Sequence, residues 1–440
     1  MPFSGRVPAA PPILEYLGAL TLRVAPDTEL ELFDANVRPF DIDAVDADLV
    51  GISAMTATAT WAYATADALR ARGIQVVLGG IHPSALPQEA TLHADAVVAG
   101  EAESVWSTVL ADAVAGRLEP IYHGERLPLD DLPMPLFGTL PDSYRFRAIF
   151  TARGCPYHCT FCSVHRFFGD TVRFRSIEHV VAEAALVPGS LYFNGDDNIW
   201  GTDITRSIEL FRELAVSARR PWYGFGDLRS VQSDHGDQLI RAARDSGLFS
   251  VWVGWEGDEA RLSGYHASAK QGSDREDAIR RLKAAGIDVV MFMMLGGRDD
   301  SLDDFERAVE LADRLDVGVH PVLLTPFPGT ELYEDYQRWL LPDLGWERFT
   351  GVSAVFEHPD PAMTPEAREQ AYYRTSLELL SLPRILGHAA RIPAAGFPST
   401  HLLSIMKALP VRRAMRRAYA DWSLEHADGP LIPSSENPER

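Results

Sequence analysis

All three cysteines of the 440-residue chain fall in one short stretch, RGCPYHCTFCSVH, as Cys155, Cys159 and Cys162. Three thiols cannot build a disulfide framework, and this spacing is too tight for one. Independently scattered cysteines would fall this close with a probability of roughly one in a thousand, so the cluster has a chemical cause. Thiolates are soft ligands that favour iron-sulfur clusters, zinc or copper(I). The spacing is CxxxCxxC, with an aromatic residue, Phe161, just before the last thiol. A cubane cluster needs four ligands, so three cysteines leave one iron open to another group. The competing reading is a Cys3His zinc site completed by His158 or His165. Structural zinc usually staples small or loop-rich units, whereas this loop crowns an α/β series with its own core.

Two α/β series flank the loop. From Pro11 to about Gly124, helical patterns (ILEYLGALTL, TWAYATADALRARG, ESVWSTVLADAVAG) alternate with short apolar runs (LELFDA, DLVGISA, IQVVLGG, DAVVAGE). Such alternation predicts a parallel sheet covered on both faces, a doubly wound, Rossmann-like unit. Sheets of this kind bind ligands beyond the carboxyl ends of their strands, where small residues let a large ligand reach the backbone. Here those ends carry Ser53, Thr56 and Thr58, then Gly79, Gly80 and His82, then Gly100 and Glu101. A proline- and acid-rich stretch, ERLPLDDLPMPLFGTLPDSYR, reads as a linker.

Beyond it the sequence predicts six strands: RAIFTAR, SLYFNG, PWYGFG, FSVWVGW, VVMFMML and VHPVLL, with helices between them. Six β/α units imply a partial barrel rather than a closed eight-stranded one, with the cysteine loop directly after its first strand, on the face where barrel active sites form. Tyr192, Trp200, Tyr223 and Trp255 stand near strand ends as candidate pocket walls. Past residue 335 the pattern becomes helical, and this tail is expected to cover an open barrel mouth. The last residues, HADGPLIPSSENPER, have the composition of a disordered end.

The formal charge of −21 repels polyanions, so nucleic acid is a poor partner. Arg412, Arg413, Arg416 and Arg417 are the local exception and read as a solvated helix face. No apolar run approaches the roughly 20 residues that span a bilayer. The start, MPFSGRVPAAPP, lacks the apolar core of a signal peptide. A cytoplasmic protein without a membrane partner is expected.

In its loop and its flanking segments the sequence resembles the radical S-adenosylmethionine enzymes that carry an N-terminal cobalamin-binding domain. The resemblance rests on CxxxCxFC, on NGDDNIW, VGWEGDEARL, AAGIDVVMFMMLGG and LLTPFPGTELY, and in the first unit on PPILEYLGAL, DLVGISAMTATA, VVLGGIHPSALP and ADAVVAGEAE. It implies a flavodoxin-like cobalamin-binding domain over 1–125, a linker over 126–146, a partial (β/α)6 radical S-adenosylmethionine barrel over 147–335 and a helical extension over 336–440. By resemblance Cys155, Cys159 and Cys162 hold a 4Fe-4S cluster whose open iron takes S-adenosylmethionine. Phe161, Asp197, Glu256 and Lys270 then become candidate S-adenosylmethionine contacts. Ser53, Thr56, Thr58, Gly79, Gly80, His82 and Gly100 become candidate cobalamin contacts. Asp196, Asp197 and Asn198 could equally cap the following helix, and Glu256 could belong to a structural network.

Two departures stand out. The DxHxxG motif that supplies a cobalt-binding histidine does not occur, so cobalamin is expected to bind without one. The usual strand ahead of the PPxxLxYL helix is missing from MPFSGRVPAA. The resemblance implies methylation of an unactivated carbon in a small molecule, in secondary-metabolite or antibiotic assembly, with electrons from an external flavodoxin or ferredoxin. An oxidative cyclase or rearrangement enzyme is the alternative within enzymes. A cobalamin or iron-sulfur sensor without turnover is the alternative outside them.

Overall fold

The computed structural model describes residues 10–426 except 141–143, 145, 201, 268–270, 272–273 and 394–395. The first unit is a four-stranded parallel sheet, β1 (Leu49–Ser53), β2 (Gln75–Gly79), β3 (Ala96–Gly100) and β4 (Ile121–Gly124), in that spatial order. Helices Ala59–Ala71, Pro87–Ala90 and Trp106–Val114 connect successive strands. Strand alternation divides the apolar side chains between two faces. Val76 and Leu78 pack with Ala62, Ala66 and Leu69, whereas Val77 and Val98 pack with Leu20, Trp106 and Val109.

LELFDA does not join this sheet: it pairs with no strand among the described residues. Its leucines instead cover the helix Pro12–Val24, where a Cβ on Gly18 would stand 3.1 Å from Leu32 and 3.2 Å from Leu30. Of MPFSGRVPAA, the stretch without the usual preceding strand, residues 1–9 lie outside the described residues.

The second unit opens with β5 (Arg147–Ile149) and a small antiparallel pair, β6 (Ala152–Arg153) with β7 (Arg173–Phe174). It continues with β8 (Tyr192–Asn194), β9 (Trp222–Gly226), β10 (Leu248–Gly254), β11 (Asp288–Leu295) and β12 (Gly318–Leu323). The sheet order is β12-β11-β10-β9-β8-β5, every neighbour parallel, an open six-stranded arc. Helices Ile204–Ser217, Gly236–Ser246, Arg275–Ala284 and Asp303–Leu315 cover its outer face.

An open sheet must protect its two edges. At β5 the helix Pro12–Val24 does so, with Glu15 3.4 Å from Arg147 and the Tyr16 hydroxyl donating to Glu183 at 2.5 Å. At β12 the helix Pro365–Leu379 does so. The long helix Thr400–Glu425 reaches the amino ends of the strands, where Lys407 donates to Ser250 at 2.6 Å and to Asp288 at 2.9 Å. This part of the tail therefore closes the barrel floor. The mouth, where it was expected, is at the opposite ends of these strands.

Strand parity also corrects the expected pocket walls. Tyr192 and Trp222 stack outward, with centroids 6.2 Å apart, in the core beneath the helices that also holds Trp200. Trp255 lies under the Arg275 guanidinium, 3.8 Å from its ring centroid. Of the four expected walls only Tyr223 faces inward, beside Phe193, Phe225, Trp252 and Phe292.

Candidate active site

The cysteine loop leaves β6 through Gly154, whose φ of +98° belongs to glycine; a Cβ there would stand 2.6 Å from the Thr171 carbonyl oxygen. Cys155 N–H donates to Gly169 O at 3.3 Å and Cys162 N–H to Cys159 O at 3.0 Å. The loop is tied to the barrel by Thr160, whose N–H donates to Tyr265 O at 3.0 Å and whose carbonyl accepts from Leu332 N–H at 3.0 Å. Phe161 meets the Tyr265 ring edge-on at 5.7 Å.

Burial, with smaller contributions from Cys159 and Asp197, pushes the Cys155 thiol up to about 11 and the Cys162 thiol up to about 12. Three thiols grouped this way resist ionising together unless a cation joins them, so the donor set fits a soft, positively charged metal centre. Among the described residues no three Cys, His, Asp or Glu side chains surround a point suited to a single ion. Of the histidines in the zinc alternative, His165 is buried with both ring nitrogens unpartnered, and His158 packs edge-on against it at 5.1 Å.

Two adjacent carboxylates beyond β8 have different surroundings. Asp196 accepts from Thr151 N–H at 2.6 Å and Ala152 N–H at 3.0 Å, pinning the β5–β6 turn. Burial nonetheless raises its carboxyl to about 6. Asp197 lines a small cleft with Gly154, Cys155, Pro156 and Asn198, and burial together with Asp196 pushes it up to about 7. Asn198 donates to Asp227 at 2.6 Å, so it serves that buried carboxylate and not a helix cap. Glu256 follows β10, is 6 % exposed and holds a φ of +58°. That conformation is uncommon outside glycine and concentrates at functional sites. Lys270 lies outside the described residues.

The cobalamin candidates divide. Gly80 has φ +97°, and a Cβ there would stand 2.7 Å from the Ala54 carbonyl oxygen, beside Gly79 and the exposed Ser53. The Thr58 hydroxyl is engaged in its own turn, donating to Met55 O at 3.0 Å. Thr56 and His82 are buried together, 3.4 Å apart, with Trp346 edge-on to His82 at 4.8 Å. The structure therefore sets His82 inside the packing, and burial lowers its basicity.

Gly100 borders a cavity of about 590 Å³ between the two units. Glu101, the strand-end residue next to it, lines the cavity too, but sequence reasoning missed most of the rest: Ser84 and Gly124 on one side, Arg166, Phe167 and Gly329 on the other. Ser84 ties two strand ends, donating to Gly80 O at 2.7 Å and accepting from Gly100 N–H at 2.9 Å. At Gly124 a Cβ would fall 2.0 Å from the Glu101 carbonyl oxygen. Its signal was present as a further glycine-ended apolar run, IYHG. The glycines and the cavity provide the bare backbone and open space that a large flat cofactor requires.

Residues 22–110 match the B12 binding domain family, and residues 149–312 match the radical SAM superfamily. The chain is a B12-binding radical S-adenosylmethionine enzyme. The cofactors of this enzyme are those of its class: S-adenosylmethionine, a 4Fe-4S cluster and cobalamin. It is 27 % identical over 373 residues to bacteriochlorophyllide d C-8(2)-methyltransferase of Chlorobaculum tepidum, covering 78 % of this chain and 80 % of that one. It is also 27 % identical to the C-12(1)-methyltransferase of the same organism, over 70 % of each chain. Both relatives are named as methyltransferases. In fold it is similar to the methyltransferase TsrM of Kitasatospora setae, with a TM-score of 0.66 and 16 % identity over 95 % of this chain and 98 % of TsrM. The radical enzyme OxsB also gives 0.66, at 14 % identity, over 98 % of this chain and 80 % of OxsB.

Proposed function

We propose that this enzyme transfers a methyl group to an unactivated carbon of a small molecule in secondary-metabolite, antibiotic-type biosynthesis. One observation carries the reading: the cavity between the units has the glycine strand ends on one side and, on the other, the residues that immediately follow Cys162. When bound, the cluster with S-adenosylmethionine supplies a carbon-centred radical, and cobalamin supplies a methyl carrier.

The chain's own residues then have assignable tasks. Cys155, Cys159 and Cys162 hold the cluster as thiolates. Asp197 and Glu256, beyond the ends of β8 and β10 on either side of β9, contact S-adenosylmethionine together with Lys270, and Phe161 shields it from water. Gly79, Gly80, Gly100 and Gly124 give cobalamin access to the backbone, with Ser53, Thr56 and Thr58 at the β1 end beside them. His82, packed against Thr56, supports that strand end instead of reaching cobalt. The electron donor is an external flavodoxin or ferredoxin. No helix of the described residues is long and apolar enough to cross a membrane, in keeping with a cytoplasmic enzyme, and the charge of −21 disfavours nucleic acid as substrate.

The test is comparative metabolite analysis of a host fed methyl-labelled methionine, expressing either the chain or its Cys155→Ala variant. A labelled methyl on carbon in a product made only by the unaltered chain is expected. Its absence, with cobalamin and iron both loaded, would overturn the reading.

A further inference from the structure

The inner face of the barrel carries a lining that the cofactors do not explain. Registered neighbours share a face, so the pairs Phe193 and Tyr223, Phe225 and Trp252, and Phe292 and His320 all point inward. Their rings form one continuous sheet of contacts: Phe193 to Trp252 6.0 Å, Phe225 to Phe292 5.3 Å, Trp252 to Phe292 5.5 Å, Phe292 to His320 4.8 Å. Closed barrels fill this space with layers of branched aliphatic side chains. Here Phe193, Phe225, Trp252, Phe292 and His320 are only half-buried, while the outward residues Tyr192, Trp222, Val251, Val253, Met291 and Val319 are buried. The rings thus face open space rather than each other's packing alone.

Charge is arranged by depth. The floor pair, Asp288 and Lys407, is mutually compensated and further bonded to Ser250, Ser404 and His388. The carboxylates Asp197 and Glu256 stand at the mouth, beyond the ends of β8 and β10. Between floor and mouth the inward positions include Phe193, Tyr223, Phe225, Trp252, Val290, Phe292 and His320, none of them a carboxylate, lysine or arginine. Burial pushes His320 down to about 4, so it is neutral at physiological pH and offers one hydrogen-bonding edge. An ionic ligand would lose its hydration there without a partner, whereas a flat ring gains face and edge contacts.

We propose that the barrel lumen selects an uncharged, planar ring compound, gripped by Phe225, Trp252 and Phe292 with its polar substituent toward His320. This rests on the methyl-transfer reading above and names the substrate class of that site.

The test is equilibrium dialysis of the fully loaded enzyme against three probes: 2-naphthol, its saturated analogue decahydro-2-naphthol, and 2-naphthoate. Saturable binding of 2-naphthol is expected, with the other two at least tenfold weaker. Phe225→Leu and Phe292→Leu, which keep most of the volume and remove the ring faces, should each weaken 2-naphthol at least fivefold. Equal binding of the three probes, no binding of 2-naphthol, or binding insensitive to both variants would overturn the inference. Thermal unfolding of each variant shows whether it is folded, and Phe193→Leu replaces either one that is not. Iron and cobalamin are measured in the same samples. A loaded enzyme that ignores 2-naphthol removes the lumen inference and leaves methyl transfer standing. A chain that binds it yet takes up no cobalamin supports the lumen inference and removes the functional reading.

Discussion

Arg153 Nη1 donates to Glu101 Oε2 at 3.0 Å, joining the end of β3 to the residue two positions before Cys155. Glu103 adds a contact at 2.8 Å, and Arg173 also binds Glu101. Arg153 is 7 % exposed and Glu101 4 %, so the pair is shielded from solvent. Removing Glu101 leaves Arg153 with Glu103 and Arg173 with the Leu127 carbonyl, so the cost falls below the roughly 3–5 kcal/mol of stranding a lone buried charge. Glu101→Ala should therefore lower the thermal unfolding midpoint and cut cobalamin occupancy while iron still loads. Unchanged cobalamin binding would show that this link does not shape the cavity.

The strand-end glycines make a sharper prediction. Gly80→Ala places a methyl 2.7 Å from the Ala54 carbonyl, and Gly124→Ala places one 2.0 Å from that of Glu101. Neither backbone oxygen can move cheaply. Gly73→Ala is the control: its φ is +83° but nothing lies within 4 Å of the added carbon, so only the left-handed backbone cost of about 1–2 kcal/mol applies. Both strand-end variants should lose cobalamin at least tenfold more than the control, as read by absorbance of the dialysed protein. Equal retention in all three would dismiss the role of close backbone approach.

Asp196 and Asp197 are adjacent yet separable. Asp196→Ala leaves the Thr151 and Ala152 N–H groups without their acceptor, at a cost of roughly 1–3 kcal/mol each where buried. It should destabilise the fold. Asp197→Asn, which keeps the shape and an oxygen acceptor for the Gly154 N–H, is expected to lower the thermal unfolding midpoint less than Asp196→Ala does and to weaken S-adenosylmethionine binding, measured calorimetrically on the cluster-loaded enzyme. The reverse pattern would exchange the two roles.

The barrel floor sets a pH window. Burial opposes ionisation of Asp288, but Lys407 and His388 outweigh it and hold the carboxyl far below the ordinary 3.8. Burial likewise lowers His388, yet its hydrogen bond and attraction to Asp288 leave it raised above 6.5. The depressed Asp288 contributes stability present above pH 3.8 and lost as pH falls through its folded value. The raised His388 contributes stability present below pH 6.5 and lost as pH rises through its folded value. Thermal unfolding midpoints should thus fall at both limbs, and His388→Asn should flatten the alkaline limb. An unaltered alkaline limb in that variant would refute the assignment.

Much of this was legible in the sequence because it is local. The cysteine spacing, the glycine stops and the six apolar runs of the second unit each depend on a few neighbouring residues, and all six strands formed. What failed depends on partners far away in sequence. Parity decided whether Tyr192 or Phe193 faces inward, and only the register with Trp222 and Tyr223 fixes it. LELFDA has a strand composition, but Leu30 and Leu32 found Gly18 on a helix instead. Lys407 carried no motif, since its meaning comes from Ser250 and Asp288, both more than 100 residues earlier. His82 looked available beside two glycines, yet Thr56 and Trp346 close over it.

The most direct test of the central claim is cofactor stoichiometry after anaerobic expression with cobalamin supplied and the cluster reconstituted. Absorbance, iron and sulfide analysis should give close to one cobalamin and about four irons per chain, with iron abolished in Cys155→Ala, Cys159→Ala and Cys162→Ala. A chain that assembles its cluster but binds no cobalamin, or one whose iron survives loss of these cysteines, would contradict the account.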